Sequence, residues 1–581
     1  MPQRRSPRPS PRSRTRQQPV VRTYRRRRAR RRFPWVPALA VFVVVVLVGW
    51  LAYAVLAGPD DSVSTSKPRA KQSTPETTTP ATKPKPVKKA AAVGSQAAQV
   101  SQGVLHPSFL GAEKRNSSGL GPAPTRLSLI WKTKIGSGPT QRKSDNKTEY
   151  WSGTGWTGQP TVVRDKGVDW LLIGGYDHNL HKIAMKTGRV MWQSPWPDVM
   201  KGTNTVVANP KPTSEANRII VVSGSRRGSD LSVGDKRIAP LRAVSFANGK
   251  ELWRLPVPKT ANYSQDVDSS PLWYKGVLYA PVESGYVYAL DPFRTRVVNG
   301  VRQPVVLARS RKLYDASDVA KHPDVGGANL AVEASPSAIG DVIYITAGSG
   351  HVYGLDSKTL KVVWDYKTGS DIDGTPVVNY ADHLLVTIEK QYIKQDGGLY
   401  MFDPTKPAAK APIWYFPTPS RGISEWAGGS VGSATVNDAT NNGSRPRLAA
   451  FSSVDGNLYV VSQDVLTSRK VKGPGPSAPV RVPYKVAQQY VGPSISTPAF
   501  VGDRIVVGGY DRKIRVLGLR YTQAKKGQAG ALPSPDGRWW KATLRQLSSY
   551  ATNGSVESAP LVWKNRVFVG SRDGYLYCLG Q

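Results

Sequence analysis

One repeated pattern fills most of the chain and constrains its fold more than any other feature. The clearest copies are SSPLWYKGVLYAPVESGYVYALD (269–291), ASPSAIGDVIYITAGSGHVYGLD (334–356), STPAFVGDRIVVGGYDRKIRVLG (496–518) and SAPLVWKNRVFVGSRDGYLYCLG (558–580). Weaker copies begin near Pro160, Val206, Pro376 and Ala434. Each copy reads as a short strand, a turn, a strand rich in β-branched residues, a Gly/Asp turn and an alternating strand. Several add a fourth strand that carries Trp. The pattern predicts antiparallel four-stranded meanders, and eight copies are present.

Two columns of the aligned third strands support this alignment. The first column is entirely aliphatic and consists of Leu180, Leu241, Val287, Val352, Leu399, Leu458, Ile514 and Leu576. The second column holds large flat or amphipathic side chains, namely His181, Arg242, Tyr288, Tyr353, Tyr400, Tyr459, Arg515 and Tyr577. Because side chains alternate between the two faces of a strand, we expect the aliphatic column to pack between neighbouring sheets.

Repeated four-stranded sheets arranged around an axis form a β-propeller, which protects its sheet edges by closing the ring. The last copy ends at Gln581 without a Trp-bearing fourth strand. The segment LSLIWKTKIG (127–136), which contains Trp131, resembles such a strand and precedes the first copy. We therefore predict an all-β, eight-bladed propeller of four-stranded antiparallel blades, closed by pairing of the strand around Trp131 with the C-terminal strand.

The N-terminal region predicts a membrane anchor. Residues 1–34 contain 14 arginines and no acidic residue, and predict a disordered cytoplasmic tail. Residues 35–57 are uncharged and, as a helix of about 34 Å, would span a bilayer core of about 30 Å. The positive-inside rule then places the rest of the chain outside the cytoplasm. A cleaved signal peptide is the alternative, since the small residues Val55 and Ala57 are suitably spaced for cleavage.

Between the predicted transmembrane helix and the propeller lies a Thr/Pro/Lys-rich stretch, residues 58–104. Proline and like charges favour an extended spacer over a folded domain. The predicted organisation is therefore a tail (1–34), a transmembrane helix (35–57), a linker (58–104) and a propeller (105–581).

The formal net charge of +41 remains clearly positive when the tail and linker are excluded, which favours anionic partners such as cell-wall polymers. We expect no nucleic-acid partner, because the arginine block adjoins the apolar run.

The repeats resemble a known family. The Ser/Thr-x-Pro strand start, the strands VYALD (287–291) and VYGLD (352–356) and the Trp-bearing KTLKVVW (358–364) are similar to the pyrroloquinoline-quinone (PQQ) repeat. The resemblance covers roughly residues 127–581. It implies an eight-bladed fold of the quinoprotein alcohol dehydrogenase type. The family includes enzymes that use PQQ and calcium. It also has non-enzymatic envelope members, such as the propeller lipoprotein of the β-barrel assembly machinery, to which this chain is nearer.

The cysteine content argues against the enzymatic members. Alcohol dehydrogenases of the family typically stack the quinone against a vicinal disulfide, whereas Cys578 is the single cysteine here. A Cys-x-x-Cys-His haem motif is also absent. No catalytic residue of the family maps onto a matching position. We therefore predict no catalytic, cofactor or metal residue, and treat PQQ with calcium as the alternative.

Carboxylates recur three residues before the start of the first strand. They are Asp268, Glu333, Asp373 and Glu557. Because first strands line the central channel of a propeller, these groups are expected near one mouth of it. Four neighbouring carboxylates repel one another unless they are hydrated, paired or bridged by a cation. A calcium ion or a cationic segment of a partner fits such a ring, whereas the structural alternative is turn capping or pairing with basic neighbours.

Two loops outside the repeat combine Trp with small residues. EYWSGTGWTGQP (149–160) carries Trp151 and Trp156, and RGISEWAGGSVGS (421–433) carries Glu425 and Trp426. Both lead into a first strand and are expected on the face where the channel opens. They predict either an aromatic docking surface or a local core that plugs the channel.

The sequence as a whole predicts a non-catalytic binding or scaffold module for an envelope protein or polymer, with a PQQ-dependent oxidoreductase or a polyanion-binding protein as alternatives.

Overall fold

Short antiparallel strands dominate the computed structural model, which describes residues 96–142, 145–424 and 426–581. The predicted tail (1–34), transmembrane helix (35–57) and most of the predicted linker lie outside the described residues. Among the residues that are described, no helix combines the length and apolarity needed to cross a membrane.

A leading segment precedes the blades. It contains α1 (Gln96–Ser101), β1 (Val104–His106), β2 (Gly119–Leu120), β3 (Ser128–Lys134), β4 (Ser137–Gln141) and β5 (Thr148–Ser152). The buried side chain of Gln99 donates to the Ala208 carbonyl at 3.1 Å and accepts from its N–H at 2.8 Å. The structured domain therefore begins by Gln96, earlier than the predicted boundary at residue 105.

The first four blades follow in chain order. Blade 1 consists of β6 (Thr161–Asp165), β7 (Val168–Gly174), β8 (Asn179–Ala184) and β9 (Val190–Pro195), and blade 2 of β10 (Thr205–Ala208), β11 (Ile219–Ser223), β12 (Leu241–Ser245) and β13 (Glu251–Leu255). Blade 3 consists of β14 (Leu272–Tyr274), β15 (Val277–Val282), β16 (Tyr286–Val298) and β17 (Val301–Arg309). A connection containing α2 (Ala316–Lys321), β18 (Pro323–Asp324) and β19 (Gly327–Ala328) leads to blade 4, which consists of β20 (Ser337–Ile339), β21 (Val342–Ala347), β22 (His351–Asp356) and β23 (Val362–Lys367).

The remaining blades complete the domain. Blade 5 consists of β24 (Val377–Val378), β25 (Leu384–Ile388), β26 (Gly398–Phe402) and β27 (Pro412–Pro417), and blade 6 of β28 (Thr435–Val436), β29 (Leu448–Ser452), β30 (Asn457–Val471) and β31 (Val480–Tyr490). Blade 7 consists of β32 (Ala499–Val501), β33 (Arg504–Gly508), β34 (Lys513–Ala524) and β36 (Trp539–Ala551), with β35 (Leu532–Pro533) at its outer edge. Blade 8 consists of β37 (Leu561–Trp563), β38 (Arg566–Ser571), β39 (Tyr575–Gly580) and β3.

The sheets agree with the repeats. Six of these four-stranded units are separate sheets in the described part of the chain, two of them extended by β1 or β2. Blades 5 and 6 share one eight-stranded sheet, because a single parallel bridge between Trp414 and Arg481 joins their outer strands. The predicted all-β, propeller-like arrangement is therefore confirmed, and each sequence repeat corresponds to one four-stranded unit.

The two ends of the repeat region pair with each other. Strand β3 is antiparallel to β39, with Trp131 directly opposite Cys578. The indole Nε1 of Trp131 donates to the Met185 carbonyl at 3.2 Å, and its ring packs 5.7 Å from that of Phe568. The predicted closing strand thus completes blade 8 and also contacts blade 1.

The aliphatic column forms the core between blades. All eight of its members have no exposed side-chain surface. The second column is also buried, apart from the half-buried Arg242. Both faces of each blade are therefore covered by neighbouring blades, as a propeller requires.

Hydroxyl groups at the starts of the first strands connect successive blades. In each case a backbone N–H donates to the hydroxyl of the equivalent residue in the next blade. The pairs are Ser270 to Ser335, Ser335 to Thr375, Thr375 to Ser433 and Ser433 to Thr497, at 2.9, 3.1, 2.9 and 2.8 Å. Buried backbone N–H groups need such acceptors. The Ser or Thr that precedes the strand-opening position therefore links neighbouring blades around the channel.

The leading segment also fills one end of the central channel. Strand β1 pairs with β6, and β2 pairs with β37, which are the inner strands of blades 1 and 8. Between them, Arg115 is completely buried and donates to the carbonyls of Phe109, Ser270, Pro271 and Pro336 at 2.8–3.2 Å. Residues 104–123 therefore connect inner strands that are distant in sequence and occupy the channel at the end away from the cavity described below.

Candidate functional site

A cavity of about 650 Å³ occupies the other end of the channel. Two kinds of loop line it: those that precede the first strand of a blade, and the turns between second and third strands. Glu333, for example, precedes β20, whereas Arg572 lies in the turn between β38 and β39. Every blade contributes at least one such loop, so closure of the ring is what brings these side chains together. The volume of this cavity lies within the range of roughly 300–1,000 Å³ that is usual for ligand sites.

One cluster of carboxylates beside the cavity contains Asp268, Glu283 and Glu333, with ligand oxygens within 4.8 Å of one another. The ammonium group of Lys201 forms an ion pair with Asp268. Burial alone would lower the pKa of Lys201, but the carboxylates of Asp268 and Glu333 outweigh it and raise this pKa well above its usual value. The hydroxyl of Tyr263 donates to Glu333 at 3.3 Å. This cluster therefore includes its own cation.

A second cluster contains Asp371, Asp373 and Glu389, again with ligand oxygens within 4.8 Å. Burial and the nearby Glu333 raise the pKa of Asp371 to about 7. Burial and the adjacent Asp371 carboxylate raise the pKa of Asp373 well above its usual value, and burial together with Asp373 does the same for Glu389. Three carboxylates in a desolvated site are thus held close together.

The opposite wall of the cavity carries arginines. The guanidinium carbons of Arg226 and Arg572 lie 5.2 and 5.3 Å from the centre of the Trp151 ring. Arg572 also pairs with Glu557 at 3.4 Å, and the indole of Trp151 donates to Glu149 at 2.9 Å. Trp151 therefore helps to hold two guanidinium groups at the wall through cation–π contacts. The cavity is polarised, with most acids on the side of blades 3 to 5 and arginines from blades 8 and 2 on the other side, where Arg572 pairs with Glu557 and Arg226 with Asp266.

The other two predicted tryptophans form a small hydrophobic cluster at the cavity. Trp156 is buried with Val431 and Ile495, and the half-buried Trp426 packs against them. All four residues also line the cavity. These side chains therefore combine the two roles that the sequence left open, since they form a local core that is also part of the cavity wall.

The structure brings most of the predicted site residues to one cavity. Those that line it are Trp151, Trp156, Glu333, Asp373, Trp426 and Glu557. Asp268 lies behind the wall in the Lys201 cluster, and Glu425 lies outside the described residues. The expected single ring of four carboxylates is wrong in detail: Asp268 and Glu333 share one cluster, Asp373 belongs to another, and Glu557 pairs with Arg572.

Several cavity residues were missed by the sequence analysis. They are Lys201, Arg226, Asp371, Glu389 and Arg572. Asp371 could have been found, because it lies two residues before Asp373 on the same loop. Glu389 could also have been found, because it follows the second strand of blade 5 at the position that Glu283 holds in blade 3. Lys201 has no counterpart of the same kind in the other repeats, so the repeat alignment gives no signal for it.

The cavity does not match the quinone site of the alcohol dehydrogenases in one respect. These enzymes stack the quinone against a vicinal disulfide, whereas Cys578 is the only cysteine of the chain and is buried in β39. Its pKa is raised to about 12 by burial, so the thiol is protonated near neutral pH. The residues present therefore do not fit a disulfide-stacked quinone.

Comparisons with known proteins agree with this fold. A family model described as outer membrane protein assembly factor BamB matches residues 128–302, from β3 into β17. This match confirms the resemblance of the repeats to the PQQ-like family over these residues. A search of curated protein sequences finds no match.

Similar solved structures include a BamB protein and quinohemoprotein alcohol dehydrogenases. BamB from Moraxella catarrhalis is 15% identical, with 78% of this chain and 98% of that chain covered and a TM-score of 0.43. Quinohemoprotein alcohol dehydrogenase from Comamonas testosteroni is 14% identical, with 84% and 83% covered and a TM-score of 0.45. The quinohemoprotein alcohol dehydrogenase ADHIIG from Pseudomonas putida HK5 is 10% identical, with 83% and 81% covered and a TM-score of 0.45.

Proposed function

We propose that this chain is a membrane-anchored, extracytoplasmic binding or scaffold module, and that its central cavity holds a charged segment of an envelope protein. The observation that carries the proposal is the polarised cavity, with carboxylates on one wall and guanidinium groups on the other. A peptide segment that bears both basic and acidic side chains complements such walls. The apolar run 35–57 supports the anchor, and the family resemblance supports an envelope location.

The fold supports binding at one particular end of the channel. The leading segment fills one end, so a ligand reaches the cavity from the loop face. Tyr392 lines the cavity and is 43% exposed. Tyr380 is equally exposed, but it follows β24 and therefore lies on the opposite face. These two tyrosines form a matched pair for testing which face binds a partner.

The test is site-specific photo-crosslinking of the full chain in membranes. A photoreactive phenylalanine analogue at Tyr392 should capture one discrete envelope protein, whereas the same group at Tyr380 should not. Adding Glu333→Gln and Asp373→Asn should weaken capture from position 392, because these changes remove charge from the acidic wall. Equal capture from both tyrosines, or capture that the two charge changes leave intact, would contradict the proposal.

A PQQ-dependent oxidoreductase is the second candidate, favoured by a cavity of ligand size with buried carboxylates in a PQQ-like propeller. It predicts that the purified full chain, supplied with PQQ and calcium, reduces an artificial electron acceptor when an alcohol is added. No reduction with any alcohol tested under those conditions would count against it.

Binding of an anionic cell-wall polymer is a third candidate, and the net positive charge favours it. Such binding should fall steeply as the salt concentration rises. Polymer binding that persists in 1 M salt would argue against an electrostatic mode.

A further inference from the structure

The two carboxylate clusters beside the cavity differ in how their charge is balanced. The cluster of Asp268 includes the ammonium group of Lys201 as its own cation. Across residues 96–142, 145–424 and 426–581, no lysine, arginine or histidine forms an ion pair with Asp371, Asp373 or Glu389. The second cluster therefore has no cation of its own.

The carboxyl group of Glu389 points independently to a bound ion. Its side chain is 1% exposed, and among the described residues its oxygens contact only the Asp373 carboxyl group of the same cluster, with no hydrogen-bond donor from outside it. Oδ1 of Asp371 is likewise buried without a donor, whereas Oδ2 accepts from the Asn329 amide at 2.6 Å. Buried polar atoms are normally satisfied by a hydrogen bond, by a metal ion or by water. These oxygens lie within the same cluster, so one bound ion can satisfy them together.

Gly348 leaves space beside this cluster. A Cβ atom added to Gly348 would lie 2.7 Å from the side-chain oxygen of Asn329 and 3.1 Å from Oδ1 of Asp371. Both oxygens therefore border the space that a side chain at this position would fill. Asp371 and Asp373 also line the cavity, which gives an ion a route from solvent.

We propose that Asp371, Asp373 and Glu389 bind one calcium ion, with the side-chain oxygen of Asn329 as a further ligand. An all-oxygen set rich in carboxylates is typical of hard cations. Calcium takes 6–8 oxygens in irregular arrangements, whereas magnesium requires near-ideal octahedral geometry. Waters from the cavity would complete the coordination. This inference concerns a different ligand from the protein partner proposed above, although Asp373 belongs both to the acidic wall and to the calcium site.

The test uses the full chain in detergent, first freed of metal with a chelator. Terbium, which replaces calcium, should bind and luminesce when the nearby aromatic side chains Tyr263 and Tyr392 are excited. Calcium should displace it and, at about a hundredfold excess over its Kd, should raise the melting temperature by about 2–3 °C for a domain of this size. Glu389→Gln should abolish both responses. Without metal, the same variant should melt no lower than the wild type, because a neutral amide of the same shape replaces a buried carboxyl group that has no ion-pair partner.

The matched control is Glu557→Gln, which makes the same change in the same cavity at a carboxylate already paired with Arg572. It should keep the terbium and calcium responses. The proposal is overturned if the wild type responds to neither ion, if Glu557→Gln loses the response as fully as Glu389→Gln, or if magnesium but not calcium displaces terbium. Partner capture at Tyr392 is measured separately, so failure of the calcium site and failure of the scaffold function can be distinguished.

Discussion

Replacing Arg115 with Met should destabilise the propeller, although this arginine is remote from the cavity. Arg115 donates to four backbone carbonyls, including those of Ser270 and Pro336 at 2.9 and 2.8 Å. Removing the donors leaves these carbonyls buried, at a cost of about 1 kcal/mol each. The guanidinium is itself desolvated, and burial lowers the pKa of Arg115 to about 9, so its removal returns part of that cost. We expect a net loss of about 2–4 kcal/mol.

The assay is thermal unfolding of the full chain in detergent, followed by near-ultraviolet circular dichroism. For a domain of roughly 480 residues, the expected loss corresponds to a fall of about 2–4 °C in melting temperature. The control is Lys114→Met, which makes the same replacement at the preceding residue. Lys114 forms only an exposed pair with Asp382, and such pairs contribute about 0–1 kcal/mol. If both variants melt alike, the leading segment does not hold the inner strands as described.

Two further predictions concern the closed end of the channel and the single thiol. Gly119→Ala should disrupt the pairing of β2 with β37 and lower the melting temperature, because Gly119 has a φ of +125° and an added Cβ would lie 1.8 Å from the Val562 carbonyl oxygen. The control is Gly300→Ala, which is also at positive φ but in open space and should lower the melting temperature less. Equal losses in the two variants would contradict this packing. Burial raises the pKa of Cys578 to about 12, so native protein at pH 8 should react with a maleimide only as fast as it unfolds, whereas guanidinium-denatured protein should react at once. Because the thiol ionises more easily in the unfolded chain, the free energy of unfolding should decline as the pH rises from about 9 towards 12. Rapid maleimide labelling of the native protein would refute the burial of Cys578.

Much of the fold could be predicted because buried positions recur at equivalent places in every repeat. Leu180 and Leu576 lie at opposite ends of the repeat region, yet both fill the same kind of space between blades. The closing strand was predictable for a related reason, since the last repeat lacked a Trp-bearing strand and the segment around Trp131 supplied one. These are consequences of hydrophobic burial at a fixed period, which the sequence displays directly.

The leading segment could not be predicted in the same way. It contacts the inner strands mainly through backbone groups, which carry no sequence signature. Its one buried charge, Arg115, lies in the polar stretch EKRNSS, where it resembles a surface residue. The linker was consequently predicted to extend to residue 104, although α1 already belongs to the domain.

The candidate site was predictable in position but not in pairing. Carboxylates such as Glu333 and Asp373 were located because their offset from the first strand is fixed by the repeat. Which of them share a cluster depends on side chains from other blades, above all Lys201 of blade 2, which pairs with Asp268 of blade 3. Those contacts arise from closure of the ring and from distances between loops, neither of which a single repeat encodes.

Ring closure by the two chain segments is the central claim, and a pair of engineered cysteines tests it most directly. In a Cys578→Ala background, Lys134→Cys with Tyr575→Cys places thiols on residues that are directly opposite in the β3–β39 pairing. Opposed residues in an antiparallel pair have Cα atoms about 4.5–5.5 Å apart, which a disulfide can span. Mild oxidation should form a disulfide between β3 and β39 in this variant. It should not do so in Thr133→Cys with Tyr575→Cys, whose side chains point to opposite faces of the sheet. Linkage in neither variant, or equally in both, would contradict the closed ring.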